Sequence, residues 1–379
     1  MSTLPLRPGL EGEEPYGAPE LDVPVRLNVN ENPYAPSPAV VESIARAAAG
    51  AAGRLNRYPD RDFPALRRAL ADYLAVESGV RPDWEGVWAA NGSNEVMLHV
   101  LQAFGGPGRT CLSFTPTYSM YPEYARDTLT DYATRPRRKD FTLDTDAAVA
   151  AIKELRPAVV ILASPNNPTG SILDEESLDA AAFVAREHGV YIICDDVYRK
   201  LVYEAGYEGF AVRHPGLRDR VVVVDSFSKP YAMTGWRLGW LAAAAPIVAK
   251  LSMVHQFAVS SVPSFIQHAA LEALSYDTAA FMEAYRRRRG LVVDALRTMG
   301  LDLVEPQGAF YAFPSIRPLG LTSEEFCERA IEEAGVALVP GSLFGGEGHV
   351  RLSYACDDET LNEGLIRLAS FIRALKARS

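Results

Sequence analysis

Four short apolar runs alternate with helical patterns through the middle of the chain. They are VWAA (Val87–Ala90), AVVILA (Ala158–Ala163), VYIIC (Val190–Cys194) and VVVVD (Val221–Asp225). Continuous apolar runs of this length are typical of strands that are buried on both faces. Strands that alternate with helices form parallel or mostly parallel sheets covered by helices, so the pattern predicts an α/β fold.

The two ends of the chain follow other patterns. The stretch up to about Pro38 is rich in Pro, Glu and Asn, which predicts extended structure, and helical patterns then flank the turn-like NRYPDRDFP. In the last third, the segments GAFYAFPSI and HVRLSYAC predict strands, and SEEFCERAIEEAG between them predicts an amphipathic helix. We therefore predict an extended segment over residues 1–40, a large domain over 41–280 and a smaller α+β domain over 281–379. The N-terminal segment is expected to join the small domain and the dimer interface.

Composition narrows the class of protein. The chain has 379 residues, of which 48% are hydrophobic and 23% charged, as in soluble globular enzymes. A formal net charge of −10 makes nucleic acid an unfavourable partner. The basic run Arg286–Arg289 is a local exception, which we expect to be the solvated face of a helix. Because no apolar run has the length of a bilayer span or the form of a signal peptide, we expect no membrane association and a cytoplasmic location.

Cysteine and histidine spacing gives no sign of disulfides or metal ligands. The four cysteines are scattered without a CxxC pair, and the six histidines show no HxxxH or similar ligand spacing. The sequence therefore predicts neither a disulfide framework nor a metal site.

Polar segments follow all four apolar runs. They are NGSN, SPNNPTG, DDVY and SFSKPYAMTGWR, in chain order. In open α/β sheets, ligands bind outside the carboxyl ends of the strands. We therefore expect these four segments to converge on one site.

One of these segments, NGSN, contains groups that could bind an anion, and another, DDVY, contains a carboxylate that could bind a cation. Gly92, Ser93 and Asn94 open a helix after a strand, where free N–H groups favour a phosphate, although Ser and Asn are also ordinary helix caps. Asp195 ends a buried strand and needs a cationic or hydrogen-bonding partner, unless it caps a helix. Strand alternation turns Asp196 the other way, so only Asp195 is expected to face the site.

Lys229 is the candidate nucleophile. It follows a continuous apolar run, stands beside Ser226 and Ser228, and precedes Arg237. Partial burial near cations disfavours the ammonium form of a lysine, and Schiff-base chemistry requires the neutral amine. The guanidinium of Arg237 is suited to a phosphate.

The segments SPNNPTG, IICDDVY and SFSKPYAMTGWRLG, in this order, resemble those of the fold-type I pyridoxal 5'-phosphate-dependent aminotransferases of classes I and II. The resemblance extends over essentially the whole chain. It implies an aspartate aminotransferase-like fold with a seven-stranded, mostly parallel sheet. It also implies pyridoxal 5'-phosphate as cofactor, transaminase activity and a homodimer.

The resemblance also implies roles for individual residues. Lys229 matches the Schiff-base lysine, Asp195 the partner of the pyridine nitrogen, and Tyr198 a hydrogen-bond donor to the phenolic oxygen of the cofactor. Asn167 matches a second donor to that oxygen, and Tyr118 the ring stacked on the pyridine. Matches to the phosphate-binding positions are Gly92, Ser93, Asn94, Ser226, Ser228 and Arg237. Arg351 matches the arginine that binds the substrate carboxylate, and Asn167 and Tyr34 match other positions that contact the substrate. Tyr58 matches a tyrosine that reaches the partner subunit's site.

The substrate is left open because the two halves resemble different branches. LNVNENPYAPSP, LNRYPDRD and VWAANGSNEV resemble histidinol-phosphate aminotransferases, whereas DDVY, SKPYAMTGWRLGW and GAFYAF resemble the aspartate and aromatic branch. The preferred prediction is transfer between an α-amino acid and a 2-oxo acid, with histidinol phosphate as the alternative substrate. A lyase, decarboxylase or cyclase of specialised metabolism on the same scaffold, and a non-catalytic regulator, are further alternatives.

Overall fold

The computed structural model describes residues 7, 9–12, 21–79, 81–214, 217 and 219–378. Part of the predicted N-terminal segment, residues 1–6, 8 and 13–20, lies outside the described residues. The strands are β1 Val25–Arg26, β2 Val87–Ala90, β3 Thr110–Thr115, β4 Asp131–Pro136, β5 Val159–Ala163, β6 Tyr191–Asp195, β7 Val221–Ser226, β8 Gly239–Ala242, β9 Tyr311–Ala312, β10 Val336–Ala337, β11 Val339–Pro340 and β12 Val350–Ser353. The helices are α1 Pro38–Ala52, α2 Pro64–Ser78, α3 Ser93–Phe104, α4 Tyr121–Asp127, α5 Thr145–Leu155, α6 Glu175–His188, α7 Phe210–Arg213, α8 Ala245–Val259, α9 Ser264–Ala273, α10 Ala279–Thr298, α11 Ser323–Arg329 and α12 Asp358–Arg378.

A seven-stranded sheet forms the centre of the molecule, in the order β2-β8-β7-β6-β5-β3-β4. Neighbouring strands from β7 to β4 are parallel, and β8 is antiparallel to both of its neighbours. The prediction of an α/β fold with a mostly parallel, seven-stranded sheet is confirmed.

Both faces of this sheet are covered, which explains the continuous apolar runs. In β5, Val159 and Ile161 belong to the apolar cluster on one face, and Val160 and Leu162 belong to the cluster on the other. The two clusters contain side chains of α3 and α8 on the first face and of α5 and α6 on the second. Successive side chains of a strand point to opposite faces, so a strand between two helical layers must be apolar throughout.

The four predicted strands all lie in this sheet, and three further strands were not predicted. Strand β3 contains two threonines and a serine, β4 is half-exposed at the sheet edge, and β8 contains only four residues. Strands β3 and β4 are not continuous apolar runs, and their burial depends on neighbours that the local sequence does not specify. Strand β8, with the sequence GWLA, is apolar and as long as β2, so its sequence contained a signal that was not used.

A second group of elements contains residues from both ends of the chain. Strand β1 pairs in parallel with β10, and β9, β12 and β11 form a separate antiparallel sheet. Val25 and Leu27 share one apolar cluster with side chains of α10, α11 and α12. The N-terminal segment thus packs with the C-terminal elements. The proposed domain boundaries after residues 40 and 280 stay a prediction that this clustering supports.

The basic run Arg286–Arg289 lies in α10, but its expected solvation is wrong for two residues, because Arg288 is buried and the side chain of Arg289 is only 17% exposed. The side chain of Arg288 is 1% exposed, its Nε atom lies 2.7 Å from an oxygen of Asp358, and its Nη2 atom donates to the hydroxyl of Tyr34 at 2.7 Å. The helical period turns Arg288 toward α12, while Arg286 and Arg287 remain exposed. None of the described helices has the length and apolar character needed to cross a bilayer.

Candidate active site

A cavity of about 620 Å³ lies at the carboxyl ends of the central strands. Of the predicted site residues, it is lined by Ser93, Asn94, Tyr118, Asn167, Asp195, Tyr198, Ser226, Ser228, Lys229 and Arg237. The four polar segments therefore converge on one site, as the order of strands and loops predicts.

The amine of Lys229 lies inside the protein and is held by the N-terminal segment. Its Nζ atom donates a hydrogen bond to the carbonyl oxygen of Asn30 at 2.8 Å. Burial lowers the pKa of Lys229 to about 8, with smaller lowering by Arg351 and Arg237, while the carboxylate of Glu31 acts in the opposite direction. A lowered pKa increases the fraction of this amine that is neutral near neutral pH, and the neutral form is what a nucleophilic lysine requires.

Asp195 has one carboxylate oxygen in use and one available. Its Oδ2 atom accepts a hydrogen bond from the hydroxyl of Tyr121 at 2.6 Å, while Oδ1 is buried and has no hydrogen-bonding partner among the described residues. Burial raises the pKa of Asp195, an effect that the Tyr121 hydroxyl partly offsets. A buried carboxylate with one oxygen unpaired is stabilised by a cationic hydrogen-bond donor, which would bind at Oδ1.

Asp196 faces away from the cavity. It lines a smaller pocket with Arg199 on the opposite face of the sheet, beside Val221 and Val223. Burial raises the pKa of Asp196 to about 7, which the charge of Arg199 counteracts. The strand alternation therefore separates the two aspartates as expected.

The other end of the cavity is suited to a phosphate group. The hydroxyl of Ser226 donates to that of Ser228 at 2.8 Å, and α3 begins at Ser93. The helix-capping position is Gly92, with φ of 96°, and a side chain there would lie 3.0 Å from Nη2 of Arg237. Ser93 is therefore the first helical residue and not the cap. Free N–H groups, hydroxyls and a guanidinium together form an anion site.

Tyr198 is linked to a residue that the sequence did not single out. Its hydroxyl lies 2.5 Å from the hydroxyl of Tyr311, and both side chains are buried. Burial and the neighbouring Tyr311 hold the pKa of Tyr198 well above its usual value, so this phenol is protonated and can donate.

Arg351 and Asn167 form a second polar centre, in which Asn167 lines the cavity and Arg351 is buried behind it. The Nη1 atom of Arg351 donates to Oδ1 of Asn167 at 2.9 Å, and its Nη2 atom donates to the carbonyl oxygen of Asn28 at 3.3 Å. The guanidinium lies 4.7 Å from the ring centre of Tyr311, and its Nε atom is buried without a partner among the described residues. A buried guanidinium with an unused donor favours an anion.

Comparison with known proteins decides the family. The family described as "Aminotransferase class I and II" matches residues 23–368. The chain belongs to the class I and II aminotransferases. A histidinol-phosphate aminotransferase of Bifidobacterium adolescentis is 48% identical over 277 residues, 71% of each chain.

Two solved aminotransferases have the same overall fold. The aromatic aminotransferase of Pyrococcus horikoshii OT3 superposes with a TM-score of 0.87 at 34% identity over 94% of this chain and 96% of that chain. The aspartate aminotransferase of Thermus thermophilus with maleate gives a TM-score of 0.84 at 32% identity over 92% and 91%. This protein is a pyridoxal 5'-phosphate-dependent transaminase.

The site of this aminotransferase fits its cofactor at both ends. Oδ1 of Asp195 is available to a protonated ring nitrogen, and the hydroxyls of Ser226 and Ser228 lie with Arg237 where a phosphate would bind. When bound, pyridoxal 5'-phosphate withdraws electrons from the bonds at the amino-bearing carbon of the substrate. Lys229 is then the residue expected to carry a proton to and from that carbon.

Four predicted residues are not among those that line the cavity within one chain, namely Tyr34, Tyr58, Gly92 and Arg351. The hydroxyl of Tyr34 accepts a hydrogen bond from Arg288, and 43% of this side chain is exposed. Tyr58 is 89% exposed and is not among the residues that line its own chain's cavity, so its predicted role is in the site of the partner subunit. The roles assigned to individual site residues stay predictions.

Sequence analysis missed three contributors to the site. Tyr121 supports Asp195, Tyr311 contacts Tyr198, and the carbonyl oxygen of Asn30 holds Lys229. Tyr121 stands three residues after Tyr118 in the segment PTYSMY, so its proximity was a usable signal. The other two contacts join distant parts of the chain and have no local signal.

Proposed function

We propose that this aminotransferase transfers the amino group of an α-amino acid to a 2-oxo acid, with the carboxylate of either substrate bound by Arg351. The buried guanidinium of Arg351, with its unused Nε donor, is the observation that carries the proposal. It lies close enough to Lys229 to lower the pKa of that amine. In an α-amino acid, the carboxylate and the amino group are attached to the same carbon. A carboxylate bound by Arg351 would therefore place the amino group near Lys229.

The charge of one guanidinium matches the charge of one carboxylate. A planar guanidinium binds a carboxylate through two parallel hydrogen bonds, which also fixes the orientation of the α carbon. Asn167 accepts a hydrogen bond from Nη1 of Arg351 and limits the rotation of its side chain. The planar guanidinium and its restricted rotation both favour a carboxylate, which is small, planar and singly charged, as the bound group.

Histidinol phosphate is the second candidate substrate. Arg26 lines the same cavity and would add a second positive charge for a phosphate, which carries close to two negative charges at neutral pH. The name of the relative from Bifidobacterium adolescentis favours this substrate. Histidinol phosphate has no α-carboxylate, so its phosphate lies farther from the amino-bearing carbon.

Two arginine substitutions separate these substrates. Arg351→Gln should reduce kcat/KM for α-amino acids by about 10²-fold or more, because removing one partner of a buried charge pair costs about 3–5 kcal/mol. Arg26→Gln should leave that value within about threefold, since Arg26 lines the cavity but is exposed, and an ion pair of an exposed arginine contributes little. The measurement is steady-state kinetics with a panel of amino acids and with histidinol phosphate.

The outcome for histidinol phosphate identifies the preferred substrate. If histidinol phosphate reacts with a higher kcat/KM than every amino acid, and both substitutions reduce that value, the α-amino acid proposal is wrong. Equal activity of Arg351→Gln and the unmodified enzyme toward amino acids would also contradict it.

We further propose that the enzyme is a homodimer in which Tyr58 reaches the partner's cofactor phosphate. Large apolar side chains are exposed on this side of the protein: Leu55, Tyr58, Met253, Phe257 and Phe265. The hydroxyl of Ser261 donates to the carbonyl oxygen of Asp60 at 2.8 Å, so the Tyr58 loop lies beside the end of α8. Exposed apolar side chains clustered in this way support an interface, and a two-fold axis would make the contact reciprocal.

Heterodimers test this contact directly. A dimer of one Tyr58→Phe chain and one Lys229→Ala chain should contain one complete site and retain cofactor there as tightly as the unmodified enzyme. A dimer of a doubly substituted chain and an unmodified chain should have its only lysine-bearing site without Tyr58. That site should bind cofactor about 1.5–3 kcal/mol more weakly, the contribution of a hydrogen bond to a charged group. The reverse order of affinities would place Tyr58 in its own subunit's site.

We also propose a cytoplasmic location. All four cysteines are free thiols buried in the structure, which suits a reducing compartment.

A further inference from the structure

A second polar cluster lies outside the cofactor cavity, between α3 and α8. It contains Glu95 and His99, one turn apart on α3, and His255 on α8. The Nε2 atom of His99 lies 3.8 Å from Oε1 of Glu95, and the Nδ1 atom of His255 lies 3.6 Å from Oε2 of the same carboxylate. One ligand atom from each residue lies within 4.8 Å of the others.

The histidine nitrogens in this cluster are buried and unpaired. The side chains of His99 and His255 are 4% and 0% exposed. The Nε2 atom of His99 and both ring nitrogens of His255 have no hydrogen-bonding partner among the described residues. Buried polar atoms normally have a partner, so these atoms indicate a missing ligand.

The hydrogen bond of His99 to Gln102 occupies one ring nitrogen and leaves the other without a partner among the described residues. The Nδ1 atom of His99 lies 2.9 Å from Oε1 of Gln102, an arrangement that places the proton on Nδ1 and leaves Nε2 as an acceptor. Metal-binding histidines usually donate their other ring N–H in this way. A neutral imidazole is the form that binds metals.

We propose that Glu95, His99 and His255 bind one divalent transition-metal cation of the Zn²⁺ type. Two imidazoles and one carboxylate form a ligand set that Zn²⁺ uses. Metal–ligand distances of about 2.1 Å in a tetrahedron require ligand atoms about 3.4 Å apart. The two imidazole–carboxylate spacings of 3.8 and 3.6 Å are close to this value, and ligand atoms that lie up to 4.8 Å apart would have to approach by at most about 1.4 Å, which side-chain rotation allows. The side chain of Glu95 is 18% exposed, which leaves access for a water molecule as the fourth ligand.

The cation would connect to the cofactor cavity through Glu95. The Oε2 atom of Glu95 accepts a hydrogen bond from the backbone N–H of Asn91 at 2.5 Å, and Asn91 stands immediately before Gly92 and Ser93. This cluster also lies against the ring of Trp88 in β2. The cation is therefore structural, because it joins α3, α8 and the loop that leads into the phosphate site, and it does not enter the reaction.

The test measures metal bound to the tag-free holoenzyme. After incubation with Zn²⁺ and removal of excess by gel filtration, elemental analysis should find one Zn²⁺ per chain, and the melting temperature should rise by about 3 °C or more. The substitutions His99→Gln and His255→Gln should each weaken Zn²⁺ binding by at least about tenfold. His268→Gln is the matched control, because His268 is an exposed histidine in α9 and should have no effect.

Cobalt gives a measurement that does not depend on the variants. Co²⁺ bound to the unmodified holoenzyme by two imidazoles and a carboxylate in a tetrahedral arrangement should produce an intense visible absorption band that Zn²⁺ removes. Less than one metal ion per chain after gel filtration, or no such band, would overturn the proposal. Zn²⁺ binding that survives His99→Gln and His255→Gln unchanged would also overturn it, since the ion would then lie elsewhere.

Discussion

Replacing Lys229 with alanine should reduce amino-group transfer by about 10³-fold or more, because the substitution removes the amine that we propose forms the Schiff base and carries the proton. The protein should still bind cofactor through the phosphate end of the cavity, where Ser226, Ser228 and Arg237 remain. Steady-state and single-turnover rates with the best amino donor measure the loss.

Peptide mapping provides the specific control for this result. Borohydride reduction of the holoenzyme should attach the cofactor covalently to the peptide that contains Lys229. Lys250→Ala changes an exposed lysine in α8 and should leave the rate, the colour and the mapped peptide unchanged. Modification of another lysine in the unmodified enzyme would show that the assignment of Lys229 is wrong.

Asp195→Asn should reduce kcat/KM by about 10²–10³-fold, since removal of one partner of a buried charge pair costs about 3–5 kcal/mol. An amide at this position cannot hold a positive charge on the ring nitrogen, although it can still accept a hydrogen bond from Tyr121. Cofactor affinity should fall as well, which equilibrium titration of the apoenzyme measures.

Asp196→Asn is the matched control for that effect. Asp196 lies beside Arg199, which also has Glu77 and Asp225 nearby at 3.7 and 3.8 Å. The Asn variant should therefore keep kcat/KM within about tenfold and change mainly the melting temperature. Equal losses in the two variants, or a larger loss for Asp196→Asn, would mean that the wrong carboxylate has been assigned to the cofactor.

The sequence was sufficient to predict those parts of the fold where one physical requirement dominates. Strands β2, β5, β6 and β7 must be apolar on both faces, so their positions were visible without a structure. Strand alternation also separated Asp195 from Asp196. Strands β3 and β4 were missed because segments of mixed polarity become strands only through their neighbours in the sheet.

Contacts between distant segments of the chain could not be predicted in the same way. Glu95 and His99 were not singled out in the sequence, and only the packing of α8 against α3 brings His255 to them. The same holds for Arg288, whose burial depends on Asp358 in α12. The local sequence pattern predicts on which face of a helix a residue lies. It does not predict which other element packs against that face, because that depends on the tertiary fold.

The most direct test of amino-group transfer follows the nitrogen atom itself. Holoenzyme is mixed with a panel of amino donors carrying labelled nitrogen, including histidinol phosphate, together with an unlabelled 2-oxo acid. A transaminase should move the label into the amino acid derived from that 2-oxo acid, and Lys229→Ala should abolish the transfer. Release of the label as ammonia, or of the donor carboxylate as carbon dioxide without labelled amino acid, would instead identify a lyase or a decarboxylase.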